Sequence, residues 1–412
     1  MIESNSKIVD FKSQVIIFTT LFLLILPIEF SFEIVGVRFT PLRLFLIVIF
    51  PMLAKEYLFT FNSRPKFLDS LLFTYLIWCL ISFFINHRFA QALQSGGILF
   101  LEVMSAYFIG QLYISKKTGY YFFCKLIYII FFLMFIASIF EATSGVRFIH
   151  DLSSSITGNY YYFKDELRFG LLRAAGSFEH QILLGSFFTL TLPILWSYRK
   201  GIDKSLPVYF WFAPLLALSS APILMLFSSI LIMIYFKMNW NEKFSLRKVL
   251  VAFFIFYIFV ELYTNSSALT AFIRIFTLDP QTGYFRILIW DFATEVVKDN
   301  LFFGIGLNDW ARPFWMPPSI DSYWLVNAVR FGLFNTILLL FFFISIFYEL
   351  YRLLKNHDIE YRKKLNLISS ISILVGIIFI GFTVHLWGII NLYIFIILGC
   401  MVSWINDEKT KK

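Results

Sequence analysis

Apolar runs long enough to cross a bilayer follow one another along most of this 412-residue chain, and that succession leaves few folds open. Hydrophobic residues make up 59% of it and charged ones 15%, with a mean hydropathy of +0.76. A soluble domain of this length does not carry that composition. In hydrocarbon, each backbone amide must find its partner inside its own segment, which selects helices. With roughly 20 residues per crossing, the sequence predicts an all-α polytopic membrane protein, one integral domain over 1–412. About twelve transmembrane helices are expected, at 14–33, 41–58, 67–85, 96–115, 119–141, 181–198, 205–219, 222–236, 249–264, 323–350, 365–385 and 387–404. The arms flanking Ser219-Ser220-Ala221-Pro222 are short for full crossings, and Pro222 suits a first helical turn after a tight reversal. The first apolar run lacks a small-residue cleavage site and leads into further spans, so no cleavable signal is expected.

Charge orients the chain. With the N-terminus inside, the inner segments are rich in lysine, among them Lys7, Lys12, Lys55, Lys116, Lys117, Lys200, Lys237, Lys363 and Lys364. That excess predicts both termini in the cytoplasm. The outer segments carry mostly arginine: Arg38, Arg43, Arg88, Arg147, Arg168, Arg173, Arg274, Arg286, Arg312 and Arg330, against Lys164 and Lys298. Arginine gathered against the topology signal points to phosphate recognition, because the planar guanidinium grips oxyanions through paired bonds. The net charge of +9 is largely the topology signal, and nucleic-acid binding is not expected. Cys79, Cys124 and Cys400 all fall within spans, without a CxxC or Cys/His cluster, so neither a metal site nor a disulfide framework is expected.

Two outer connections are long, 142–180 and 265–322. Long loops in a compact protein are functional or disordered, and the aromatic run Tyr160, Tyr161, Tyr162, Phe163 speaks for order in the first. In the second, 284–299 places Phe285, Leu288, Ile289, Phe292 and Val296 at helical spacing, with Arg286, Asp291, Glu295 and Lys298 elsewhere. This is an amphipathic helix, suited either to the membrane surface or to packing. Gly304 and Gly306 predict a tight turn after it. Asp321 stands at the mouth of the next helix, where an Asp also serves as an N-cap. Arg168 and Arg173 precede Gly176, Glu179 and His180 at the end of the first loop. Glu102 and His385 are read as the remaining ionisable groups within spans, with Glu102 placed to pair with an outer arginine or to line an acceptor cavity.

In order along the chain come RAAGSFEHQILLG, LALSSAP, GYFRILIW, FFGIGLNDW and SIDSYWLVNAVRFGLFN. This series resembles the bacterial O-antigen polymerase and O-antigen ligase superfamily over roughly 165–345. The polymerase branch fits better, since ligases carry a histidine in the large outer loop and 265–322 has none. Many relatives have Ser-Arg-Gly where this chain has Ser219-Ser220-Ala221-Pro222, so a phosphate contact of that arginine does not carry over. The resemblance implies a bacterial cytoplasmic-membrane glycosyltransferase of O-antigen, capsule or exopolysaccharide synthesis. Its substrate would be a repeat unit on undecaprenyl diphosphate, with neither metal nor cofactor. A chain-length regulator and a flippase are implied partners. On that reading Arg173 and Arg286 form the diphosphate clamp, supported by Arg168 and Arg274. Asp321 is the first candidate for the base, with Glu179 or His180 behind it. Tyr160, Tyr161, Trp310, Trp315, Tyr323 and Trp324 are candidates to stack on sugars or to anchor at the interface. A ligase shares the donor chemistry and differs in acceptor. A lipid-linked sugar flippase would instead place charge deep in several spans.

Overall fold

The computed structural model describes residues 2–34, 36–60, 66–163, 167–201, 204–238, 267–275, 277, 279–355 and 359–409, with 255, 258, 260 and 261. The expected span at 249–264 lies almost wholly outside the described residues. The helices are α1 (Ile2–Leu24), α2 (Pro41–Thr60), α3 (Phe67–Asn86), α4 (Phe89–Ile109), α5 (Lys117–Ser144), α6 (Phe148–Thr157), α7 (Gln181–Gly201), α8 (Ser220–Met238), α9 (Ala268–Ile275), α10 (Pro280–Asp299), α11 (Tyr323–Phe331), α12 (Leu333–Leu354), α13 (Tyr361–Ile380) and α14 (Gly388–Lys409). Two short antiparallel hairpins accompany the helices: β1 (Phe32–Ile34) with β2 (Val37–Phe39), and β3 (Leu167–Arg168) with β4 (Leu171–Leu172). Among the described residues, 8 helices are long and apolar enough to cross a membrane: α3, α4 with its extension to Ile114, α5, α7, α8, α12, α13 and α14. The protein is an all-α, multi-pass membrane protein.

Two expected spans take other forms. Segment 205–219 contains a ten-residue 3-10 helix, Val208–Ala217, preceded by extended chain. Arg199, in the last turn of α7, donates to the Ser205 carbonyl, while Leu216 accepts from Ala174, ahead of the start of α7. The segment therefore runs the length of α7. At about 2 Å per residue the 3-10 turn covers only part of that distance. The expected helix 323–350 is broken into α11 and α12 at Gly332 (φ +88), where a Cβ would lie 2.2 Å from the Phe302 carbonyl oxygen. A side chain there would push the second long loop off the bundle.

The interior is built around α4, α7 and α14, the most buried of the long helices. Where α4 crosses α14, glycines on both sides remove the obstacle. A Cβ at Gly110 would sit 2.0 Å from the Ile396 carbonyl oxygen, and one at Gly399 2.0 Å from that of Tyr107. Small residues permit this backbone approach in apolar surroundings. At the same level α4 loosens into a π-helical turn, Gly110–Ile114.

Asp69 and Glu141 also lie in helices read as spans, which corrects the reading of Glu102 and His385 as the remaining ones. Asp69 of α3 is fully buried and accepts from Tyr57 (2.8 Å), Tyr107 (2.6 Å) and Gln111 (2.7 Å), tying α2, α3 and α4 together. Hydrogen bonds of this kind offset much of the cost of burying a carboxylate. The amphipathic stretch of the second loop is helical, as its spacing predicts, and starts earlier, with Asp279 as N-cap and Pro280 at the first position. It packs rather than spreads. Ile289, Ala293, Val296 and Val297 form a separate core with Trp310, Met316, Leu325 and Val329.

Candidate functional site

One large cavity, about 700 Å³, opens among the elements at the end of the bundle that carries the two long loops. That volume lies in the range of small-molecule sites. Five separate stretches build most of its wall, hairpin β1–β2, the first half of α4, the start of α7, helix α11 and the entry to α14, and Arg43 of α2, Tyr75 and Phe83 of α3 and Leu307 add to it. Polar groups converge there from all five.

Most of its charges are matched. Arg43 donates to Glu102 at 2.6 Å and to the Arg38 carbonyl. The hairpin places Arg38 opposite Glu33, 3.8 Å apart. Glu102 thus pairs with Arg43 and lines the cavity. Glu179 is different. Its Oε1 accepts one bond, from the Trp387 indole at 2.6 Å. Burial raises its pKa, while that bond and the charge of Arg38 pull it down. Tyr323 lines the cavity and donates to Asn391 at 3.1 Å. Asn327 accepts from Tyr75 at 2.8 Å. His385, on the segment between α13 and α14, is pushed down to about 3, first by burial and then by the charge of Arg330. It therefore stands as a neutral imidazole at ordinary pH.

Arg168, Arg173, Arg286 and Asp321 lie off this cavity. Arg168 donates to the Leu218 carbonyl at 2.9 Å, and Arg173 to that of Ala217 at 3.4 Å. Both thus meet the carboxyl end of the 3-10 helix, where the carbonyls lack helical partners. Leu218 holds φ 45, an uncommon conformation for a side chain of its size. Arg286 sits on the buried face of α10, at 4% exposure, with Nη1 donating to Thr277 at 3.3 Å and Nε without a partner. Burial lowers its pKa, the charge of Asp321 raises it, and that of Arg168 lowers it. Asp321 in turn is raised by burial and lowered by Arg286. The four residues Arg168, Asp279, Arg286 and Asp321 therefore share one electrostatic neighbourhood. Asp321 is not the N-cap of α11. Ser322 is, its hydroxyl accepting from the Leu325 amide.

No family model matches this chain. Nor does any curated protein.

Other expected residues have structural work. His180 accepts from the Ile182 amide at 3.1 Å through Nδ1 and so starts α7. Trp324 is 3% exposed, donates to the Ile378 carbonyl and packs on Phe343, away from the cavity wall. Trp310 is also buried and bonded to the Pro318 carbonyl. Arg274 is exposed in the last turn of α9. The aromatics Tyr160, Tyr161, Tyr162 and Trp315 are exposed. Sequence reading passed over Glu141, which accepts from the Ala175 and Gly176 amides and pairs with Arg147. It also left Arg38, Arg43 and Arg330 as members of the outer arginine set without a site. Their signal, an arginine beside a short apolar helix or hairpin, does not distinguish a wall of a cavity from a lipid contact.

Proposed function

We propose that this protein is an integral-membrane glycosyltransferase that polymerises glycan repeat units carried on a lipid diphosphate, undecaprenyl diphosphate in a bacterium. The observation that carries the reading is Glu179. It is a carboxylate with one hydrogen-bond donor among the described residues, on the wall of a cavity that arginines and carboxylates also line.

In this reading the cavity holds the acceptor sugar. As the acceptor hydroxyl attacks the anomeric carbon of the donor glycan, its oxygen forms the new glycosidic bond and its proton passes to Glu179. The bond from the anomeric carbon to the carrier breaks, and the electron pair leaves with the diphosphate. Raised above the ordinary carboxylate range, Glu179 is a better proton acceptor than a solvated glutamate. In this reading Arg286 and Arg168, which share one electrostatic neighbourhood, supply positive charge that offsets the leaving diphosphate in the transition state. The charge of Asp321 favours the charged form of Arg286. Arg173 positions the turn that Arg168 also grips.

The test is the surface polysaccharide of a deletion strain together with its lipid-linked intermediates. Single repeat units, on carrier or on an acceptor core, with restoration of long chains by the intact gene, support polymerisation. Full-length polymer stranded on the carrier assigns the protein to ligation. Unchanged polymer ends the reading.

A further inference from the structure

The ion pairs of the cavity leave one cation over. Arg43 is committed to Glu102, and Arg38 faces Glu33. Arg330 lines the same cavity and is exposed, and its guanidinium has no hydrogen bond or ion pair among the described residues. This is not a loose surface arginine. Its backbone is clamped: the Arg330 carbonyl accepts from the Gly306 amide at 2.9 Å and the Ser82 hydroxyl at 3.0 Å, and Ile305 donates to the Val329 carbonyl at 2.8 Å. At Gly304 a Cβ would lie 2.4 Å from the Val329 carbonyl oxygen, so the second long loop is pressed against this turn. A guanidinium on an anchored turn that lines a cavity is preorganised to receive an oxyanion.

We propose that Arg330 is a specificity residue that recognises a carboxylate on the glycan itself, so that the repeat unit this protein takes contains an acidic sugar. The inference rests on the polymerase reading and deepens it. Charge balance chooses the sugar over the carrier. A diphosphate is multiply charged, whereas the cavity offers one uncommitted cation and sets Glu179 on the same wall, which repels a phosphate cluster. Neutral His385 adds no second positive charge. A sugar carboxylate brings a single charge and matches the guanidinium fork with two parallel bonds. The cavity also presents the Asn391 amide, partly exposed and bonded through its Oδ1 to the Tyr323 hydroxyl, to the neutral remainder of a sugar ring.

The probe is the lipid-linked repeat unit that accumulates in a strain lacking this protein, used as isolated and after chemical reduction of its carboxylates to alcohols. Purified full-length protein in liposomes is assayed with both forms. The isolated unit is expected to contain a carboxylate-bearing sugar. Wild type should use it about 10- to 100-fold better than the reduced form, the effect of one charge-assisted bond pair. Arg330→Gln should raise KM for the native unit by a similar factor, leave kcat nearly unchanged, and treat both forms alike. Arg330→Lys should recover part of the preference. The side chain makes no bond among the described residues, so these variants should fold, which thermal unfolding of each checks. A repeat unit without any carboxylate overturns the proposal, as does Arg330→Gln with wild-type KM. Equal impairment of Arg330→Gln on both forms also overturns it and moves Arg330 to the carrier diphosphate. If wild type polymerises neither form while the deletion strain still makes long chains, the polymerase reading itself fails.

Discussion

Asp69 and Glu179 are both carboxylates out of bulk water in the same bundle, and their surroundings give them opposite roles. Asp69 collects two tyrosine hydroxyls and a glutamine amide from α2 and α4 with its π-helical turn, and it is fully buried. Its acceptor capacity is spent on the protein. Glu179 receives one indole and keeps the rest of its capacity toward a cavity. The difference teaches that burial alone does not mark a reactive group. What marks it is capacity left unused beside space for a substrate. The arginines repeat the lesson: Arg147 and Arg173 serve protein oxygens, whereas Arg330 serves none among the described residues.

Exchanging the charges in turn is the sharpest way to break this comparison. Glu179→Gln should lower turnover by about 10²- to 10⁴-fold, the usual loss of a general base, with unfolding temperature unchanged. Asp69→Asn should do the reverse, costing about 1–3 kcal/mol of stability while activity per folded molecule persists. Matched effects of the two substitutions would erase the distinction. Arg286→Ala should reduce kcat by about 10²- to 10³-fold, as removal of a transition-state donor does. Turnover within a few-fold of wild type would leave Arg286 as a packing residue of α10.

Smaller effects test how the cavity wall is held. Gly304→Ala must displace the Val329–Arg330 turn and adopt a backbone at φ +58, so a destabilisation of about 1–3 kcal/mol and a raised KM are expected. An unchanged KM would separate the loop contact from substrate binding. Trp387→Phe removes the bond that pulls Glu179 down, so its pKa should rise further. Because activity requires the deprotonated carboxylate, it is lost as pH falls through that pKa, and the acid limb of the profile should move to higher pH. A limb that stays in place would take Glu179 out of the rate law. Trp324→Phe should cost about 1 kcal/mol of stability through its bond to Ile378, with KM unchanged, since it lies off the cavity. A rise in KM would return Trp324 to the sugar site.

Much of the fold was legible from local pattern. Bilayer thickness imposes a length on apolar runs, and α3, α5, α7 and α14 begin and end close to where those runs do. The helix at 284–299 and the turn at Gly304 and Gly306, both at positive φ, were equally local. Segment 205–219 was not, because a run of apolar residues is equally apolar as α-helix, 3-10 helix or extended chain, and neighbouring helices choose among them. Arg286 was assigned to a polar face by its chemistry, yet its spacing from Gly283 and Ile289 sets it on the buried one. Asp321 and Glu179 looked alike as carboxylates at loop ends, and Asp321 came first.

By itself, then, the sequence determined that this is a helical membrane protein, because hydrophobicity and length act residue by residue. Tertiary structure alone decided which ionisable groups face protein and which face a cavity. Arg38, Glu102, Glu179, Arg330 and His385 come from five separate stretches, and whether a charge finds a partner depends on packing between helices rather than on its neighbours in the chain.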